Sequence, residues 1–520
     1  MGRVALKRFV FLKNTLILTT TSFLLRMIGM FFRVYISNKI GSEGMGLYQL
    51  IFSIYILAST FATSGISVAV TRLISEAAGK NTKRSISSVL NRAFLISLSM
   101  GFLAAAALYF GAEWIGTLWL RDTRAVLALR VLSPSLPFMS VTACLHGYFI
   151  ARRRVSVTSG AQLFEQVIRI AVVMLLIDRL APMGIAYSCV AVMLGNTLAD
   201  MAACLYVFLG YRRDLKRNIP PGPQHPAPHP PVAGRLVSIA APIAAGSYLT
   251  TILRTVENLL VPNCLTQYSS SREKALSEFG MLKGMAMPVL FFPSSFLSAL
   301  SILLIPEISE VNALRQTAKL NRTVTLALQI CTTMSLLAGG LFTIFSKDLG
   351  MLLYKSPEVG FYILVLGPIM PFIYFENIVD GILKGLNQQV STLRYNVIDS
   401  VSRISMILAL VPLRGMQAFL FVMLFSNLLT TYLNARRLLV VTGIRFDWNS
   451  LVVKPLLSLI GAICAMAYTV GNAMQNGLLS QLSYVVLGSC AVAAVYTALL
   501  FLTGCLKTSS FARLIKGRKP

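Results

Sequence analysis

The feature that most constrains this chain is a succession of long apolar windows separated by short connections. Fourteen such windows begin near residues 14, 47, 90, 127, 157, 184, 236, 282, 323, 360, 391, 415, 452 and 482. Each has about 20 mostly apolar residues, the length a helix needs to cross a bilayer. In hydrocarbon every backbone N–H and C=O must be bonded within the protein, which confines such spans to helices. The predicted fold class is therefore an all-α integral membrane protein with about 14 transmembrane helices. The connections leave no room for a soluble domain. Composition agrees: 13% of residues are charged and 56% are hydrophobic. A soluble globular domain carries about 25% charged residues, and a disordered chain is poor in apolar ones.

The formal charge is +28, from 47 Lys and Arg against 19 Asp and Glu. Such a balance would suit nucleic acid if the charge formed one patch, but it is spread over short loops. With the N-terminus placed in the cytoplasm, 31 of the 47 basic residues fall in inside segments, 10 outside and 6 within spans. Cytoplasmic loops of membrane proteins carry such an excess. Both termini are thus expected in the cytoplasm, with anionic inner-leaflet lipids as partners and no nucleic acid. Arg3, Lys7, Arg8 and Lys13 precede the first window, but Arg26 and Arg33 interrupt it and no small-residue cleavage site follows. It reads as a retained helix rather than a signal peptide. The eight cysteines are scattered without a CxxC, and they read as small hydrophobes rather than metal ligands or a disulfide framework.

Asn218–Pro231 is dense in proline, which favours an extended linker. His225 and His229 within it read as solvated linker residues. The linker divides two similar halves. A shift of 234 residues lays Val131-Leu-Ser-Pro-Ser-Leu-Pro-Phe138 on Val365-Leu-Gly-Pro-Ile-Met-Pro-Phe372. It also lays Gly147 on Gly381, Thr158 on Thr392 and Glu165–Ile170 on Asp399–Ile404. The matched spans are six apart, so both copies have the same topology, as in parallel transporter repeats. The expected domains are an N-terminal six-helix lobe over 1–211, a basic Pro-rich cytoplasmic linker over 212–235, a C-terminal six-helix lobe over 236–440, and helices 13 and 14 with a basic tail over 441–520.

Arg26, Arg33, Arg130, Arg169, Arg254 and Arg403 fall within spans. Each costs about 2.5–3.5 kcal/mol at a helix centre, so most are expected to face protein or a hydrated cavity. Arg26 and Arg33 are two helical turns apart on one face, and no acid within that span balances them. Cations lining a cavity suit an anionic ligand, and the planar guanidinium fork suits phosphate. The competing reading is bonding to backbone carbonyls or to carboxylates of other helices. Glu165 with Arg169, and Asp399 with Arg403, are i,i+4 pairs able to neutralise themselves. Arg254 with Glu257 and Asn258 reads similarly. Glu376, Asp380 and Lys384 form a stripe, in which two carboxylates suit ion or proton coupling unless Lys384 quenches Asp380. Thr142 and His146 stand at the repeat-equivalent positions, and Asp200 is a buried acid with no local partner in sequence. The candidate substrate-binding residues are therefore Arg26, Arg33, Arg254 and Glu257. The candidate coupling or cavity charges are Glu376, Asp380, Glu165, Arg169, Asp399 and Arg403. No P-loop or catalytic triad is visible, so neither an enzyme nor a cofactor or metal is expected.

The residues Leu25–Arg33, Ile40-Gly41-Ser-Glu43-Gly44-Met-Gly46-Leu-Tyr48-Gln49, Glu257–Pro262, Phe279–Pro288, Leu304–Ser309 and Gly381–Gln388 carry a resemblance. The chain resembles the polysaccharide flippase branch of the multidrug/oligosaccharidyl-lipid/polysaccharide (MOP) exporter superfamily over nearly its whole length. That resemblance implies a MATE-like, V-shaped bundle of two six-helix lobes. It implies flipping of an undecaprenyl-linked sugar precursor from inner to outer leaflet of a bacterial cell membrane, in spore cortex or cell-wall synthesis. Arg26 matches an arginine on the first helix of lipid II flippases, whose next arginine aligns one position from Arg33. An acid and a later arginine of those flippases align with Leu47 and Thr60. Helices 13 and 14 resemble those that cradle a lipid tail. The implied partners are a lipid-linked oligosaccharide and wall-synthesis enzymes. The rival readings are a cation-coupled drug exporter of the same superfamily, which would want an acidic and aromatic cavity, and a non-transporting scaffold for wall synthesis.

Overall fold

The computed structural model describes residues 2–78, 83–217, 232–444, 446–472 and 480–505. Most of the Pro-rich linker, including His225 and His229, and most of the basic tail lie outside the described residues. The described residues are mostly helical, with no strand among them. The helices run α1 (Gly2–Thr63), α2 (Ile66–Ala78), α3 (Lys83–Trp114), α4 (Ala125–Leu132), α5 (Ser135–Ala151), α6 (Val155–Leu180) and α7 (Ile185–Arg217). After the linker come α8 (Val232–Ser269), α9 (Arg272–Phe279), α10 (Met287–Phe291), α11 (Ser294–Ala313), α12 (Thr317–Ile344) and α13 (Ser346–Tyr354). The chain ends with α14 (Pro357–Leu366), α15 (Met370–Gly385), α16 (Gln389–Thr442), α17 (Lys454–Met466) and α18 (Gln481–Leu502).

Among the described residues, eleven helices are long and apolar enough to cross a bilayer, or twelve if α4 and α5, bent by 41°, make one span. The expected fourteen counts two long helices twice. α1 has 62 residues and α16 has 54, or about 90 and 80 Å at roughly 1.5 Å per residue. A hydrocarbon core is about 30 Å thick. α1 breaks at Gly41 (φ 72°, ψ 179°) and α16 at Gly415 (φ 60°, ψ −140°). Those conformations are open to glycine and costly for residues with a Cβ. Large apolar side chains point outward, as Phe110, Leu175 and Leu413 do, which suits lipid rather than water as the solvent.

The described residues form two compact units. One comprises Met1–Gly280 with Ile407–Gly415; the other comprises Met281–Met406 with Met416–Pro520. α8 and α9, which follow the linker in sequence, thus group with the first unit. Its core gathers α2, α3, α5 and α7 around Ile74, Leu90, Tyr148, Phe149 and Tyr211. In the second unit α17 and α18 pack on α12 through Phe345, Leu459, Met466 and Tyr496, and the Tyr496 hydroxyl donates to Thr333 O at 3.1 Å.

The internal repeat is visible inside each unit. α2 packs on α5 in the first unit as α11 packs on α15 in the second. A Cβ on Gly147 would lie 2.5 Å from Ser67 O, and one on Gly381 would lie 1.9 Å from Ser301 Oγ. Ser67 and Ser301 are themselves related by the 234-residue shift. Proline marks the same places: the α4–α5 bend falls at Pro134, and a short 3-10 turn, Gly367–Ile369, joins α14 to α15 at Pro368. Proline cannot donate within a helix and clashes with the preceding turn, so a break there is its physical consequence.

Candidate functional site

The four expected substrate-binding residues lie on two helices of the first unit that pack on one another, α1 and α8. α8 is held by Asn258 Nδ2, which donates to Ser53 Oγ at 3.0 Å. Tyr248 adds a stacked ring at 4.4 Å from Phe61 and donates to Phe61 O at 3.1 Å. On this pair Arg26 is exposed, Arg33 is half-buried, Arg254 is exposed and Glu257 is buried. Exposure of an arginine within a span means either hydrocarbon or a hydrated surface. The cost of about 2.5–3.5 kcal/mol against hydrocarbon favours the hydrated one.

A second group also sits in the first unit. Arg169 Nη2 contacts Glu165 Oε1 at 2.5 Å and Arg169 Nη1 donates to Gln166 Oε1 at 2.9 Å. Asp200, without a partner legible in sequence, accepts from the Tyr55 hydroxyl at 2.6 Å. Tyr55 also meets Ser135 Oγ at 2.8 Å. The Glu165–Arg169 pair is within electrostatic reach of Asp200. The helices α1, α5, α6 and α7 are thus joined at one polar node.

The second unit holds the remaining candidates together. Arg403 pairs with buried Asp399. Ser426, from the other limb of α16, donates to Asp399 and accepts from Arg403 Nε at 3.0 Å. Glu376 accepts from Thr430 Oγ1 at 3.1 Å, and Asp399, Arg403 and Asp380 all act on it electrostatically. Lys384 lies 2.6 Å from Asp380, so of the two carboxylates in the stripe Asp380 is the one neutralised by direct contact. At the equivalent place in the first unit, Nε2 of His146 and Oγ1 of Thr142 are buried without a hydrogen bond among the described residues.

A further charged group lies where sequence reasoning saw only loops. Arg124 contacts Glu43 Oε1 at 2.7 Å and Asp122 Oδ2 at 2.8 Å. Hydrogen bonding to Asp122 is the main reason its guanidinium is held above its ordinary range. Nearby, Arg272 Nη1 donates to Asn263 Oδ1 at 2.9 Å and Nη2 bonds Leu120 O. Burial pushes Arg272 down; Asp122 opposes that, while Arg121 and Arg124 add to it. Only Asp122-Thr-Arg124 is local enough to show in sequence. Two of the glycine-bearing motifs meet beside this group: Ser42 Oγ lies 2.6 Å from Ser277 Oγ, and the α1 backbone comes close to that of α9 at Gly46 and to Gly280, the residue that follows α9.

A bundle of membrane-spanning helices with an internal repeat and charged groups inside both units is a membrane transporter. The chain belongs to the family of polysaccharide biosynthesis proteins, whose family model matches residues 11–312, within the flippase branch of the MOP superfamily. It is 26% identical over 439 residues to Stage V sporulation protein B of Bacillus subtilis (strain 168), covering 82% of this chain and 83% of the relative. It is 21% identical over 406 residues to Lipid II flippase MurJ of the same organism, covering 73% of each. Among solved structures, an inward closed conformation of Lipid II flippase MurJ has a TM-score of 0.69 at 14% identity, covering 94% of this chain and 98% of that one. An inward-facing MATE transporter has a TM-score of 0.62 at 12% identity, covering 81% and 96%. The fold is MATE-like, and the chain is a multi-pass membrane transporter of the lipid-linked flippase kind rather than an enzyme.

Proposed function

We propose that the protein moves an undecaprenyl-pyrophosphate-linked sugar, a peptidoglycan or polysaccharide precursor, from the inner to the outer leaflet by alternating access. The observation that carries this reading is that the spans bearing Arg26, Arg33 and Arg254 belong to one compact unit. Guanidinium groups suit a pyrophosphate through parallel hydrogen bonds. Glu257, buried on the same helix as Arg254, completes the proposed site. The moving bodies are the two six-helix lobes on either side of the linker, and the carboxylates of Glu376 and Asp380 supply ion coupling. The membrane is a bacterial cell membrane with both termini cytoplasmic, the basic loops lie against anionic lipid, and the product feeds enzymes of spore cortex or cell-wall synthesis. Similarity to a sporulation protein and to a lipid II flippase supports this context.

The test is leaflet accessibility of a labelled undecaprenyl-pyrophosphate-linked sugar in liposomes, with wild type and Arg26→Ala side by side. Expected is protein-dependent exposure that disappears in the variant while insertion is unchanged. Full transport by a well-inserted Arg26→Ala protein sinks the cationic-site assignment. Resistance to cationic dyes that depends on Asp380, without sugar-lipid exposure, favours the drug exporter instead.

A further inference from the structure

A cavity of about 750 Å³ lies in the first unit between the second limb of α1, α3 and α8. Ligand pockets run roughly 300–1,000 Å³. Its floor is formed by buried Ile54, Leu108 and Thr255, and its rim by exposed Leu103, Ile252, Val256 and Trp119. Thr255 and Asn263 are its polar liners. The Thr255 hydroxyl is directed to Ser53 O at 3.5 Å, and Asn263 Oδ1 already accepts from Arg272 at 2.9 Å. An occupant would therefore meet almost entirely apolar surface, which suits a hydrocarbon chain and no headgroup.

The dimensions agree. From Ile252 to Asn263 the slot follows α8 for about 16 Å at roughly 1.5 Å per residue. That is about half of a ~30 Å hydrocarbon core, one leaflet deep. Trp119 stands at the Asn263 end, 4.9 Å from the ring of Trp114, as tryptophans do at a membrane–water interface. Ala58, Ala104 and Ala107 leave notches between larger lining side chains such as Leu57 and Leu103, a wall that accepts methyl branches. Arg254 lies between the rim residues Ile252 and Val256 in the chain, so the proposed headgroup residue and the slot share one stretch of helix.

We propose that this slot holds the polyprenyl chain of the lipid-linked cargo, separately from α17 and α18; the assignment rests on the flippase reading above. The test uses the full chain in phosphatidylethanolamine/phosphatidylglycerol liposomes. A diazirine-bearing polyprenyl phosphate is compared with a diazirine-bearing phosphatidylethanolamine at equal mole fraction, and labelled peptides are mapped. Polyprenyl labelling of the segments 100–108 and 252–263 should exceed phospholipid labelling about tenfold, or ~1.4 kcal/mol of preference. It should fall to the phospholipid level in Ala104→Phe, which fills the slot, and persist in Leu175→Phe, which lies outside it. Equal labelling by the two lipids overturns the proposal, as does undiminished labelling of folded Ala104→Phe. If Ala104→Phe does not fold, the two-lipid comparison in wild type decides. Wild-type flipping without slot labelling removes the slot. Slot labelling without flipping keeps the polyprenyl site and removes the flippase reading.

Discussion

Replacing Gly46 or Gly280 by alanine probes whether the contact between α1 and α9 must open during transport. A Cβ at Gly46 would stand 2.1 Å from Leu276 O, and one at Gly280 would stand 2.0 Å from Ser42 O and 2.5 Å from Gly46 N. These neighbours are backbone atoms, which cannot rotate aside. The two segments would have to part by about 1 Å or more, and overpacking of that kind costs roughly 1–3 kcal/mol. The penalty applies only to the conformer in which the segments touch. A transporter that alternates would therefore shift about 5- to 150-fold toward the conformer in which they are apart. The assay is the rate at which a membrane-impermeant maleimide alkylates a cysteine introduced at Ser277. Gly46→Ala should raise that rate by a factor in this range. Gly29→Ala, whose Cβ would meet nothing within 4 Å, should leave it unchanged. An unaltered rate in a folded Gly46→Ala protein refutes the argument that this contact opens.

Three further outcomes follow from the buried charges and the helix break. Asp399→Ala leaves Arg403 without its buried carboxylate and should cost about 3–5 kcal/mol; Glu165→Ala, at a pair whose side chains are about a quarter exposed, should cost clearly less, and melting in detergent compares them. Burial raises the Glu278 carboxyl above its ordinary range, with Lys274 opposing. A raised acid loses stability as pH climbs through its unfolded and then its folded pKa, so Glu278→Gln should raise the melting temperature at pH 7 and leave it unchanged near pH 3. Gly415→Ala must place a side chain at φ 60° with Tyr268 Cδ1 2.5 Å from its Cβ, and should destabilise by roughly 1–3 kcal/mol, read by the same melts.

What was legible in the sequence was local or periodic. Apolar windows announce spans because lipid demands them, and the Glu165–Arg169 and Asp399–Arg403 pairs are written in i,i+4 spacing. The repeat showed because prolines, a glycine and an arginine are rare enough in such a composition to align visibly. Partners brought from afar were not legible: Tyr55 reaches Asp200 across 145 residues, and Arg124 reaches Glu43 across 81. The breaks inside α1 and α16 fall at single glycines, Gly41 and Gly415, and one glycine among many does not announce a break. The i,i+4 spacing also offered Lys384 to Asp380, whereas the meeting of Glu376 with Thr430, 54 residues on, was not legible.

The repeat separates scaffold from function at the level of single side chains. Both units keep an acid–arginine pair on one helix face, Glu165–Arg169 and Asp399–Arg403. A feature retained in both copies serves what both copies do, which is to fold. The remaining acids differ between them. The first unit holds Asp200, gripped by Tyr55, where the second has Asn434, buried with Oδ1 unbonded among the described residues. The second unit holds Glu376 and Asp380 where the first has Thr142 and His146. Asymmetry in buried charge is costly to maintain without a use, because each such group must be solvated by the protein itself. The proposed function accordingly assigns the pairs shared by both copies to stability, and the unshared acids, with the arginines of α1 and α8, to transport. On this argument Glu376→Gln should impair transport far more than it impairs melting, whereas Asp399→Ala should impair both, and equal effects on melting would remove the distinction.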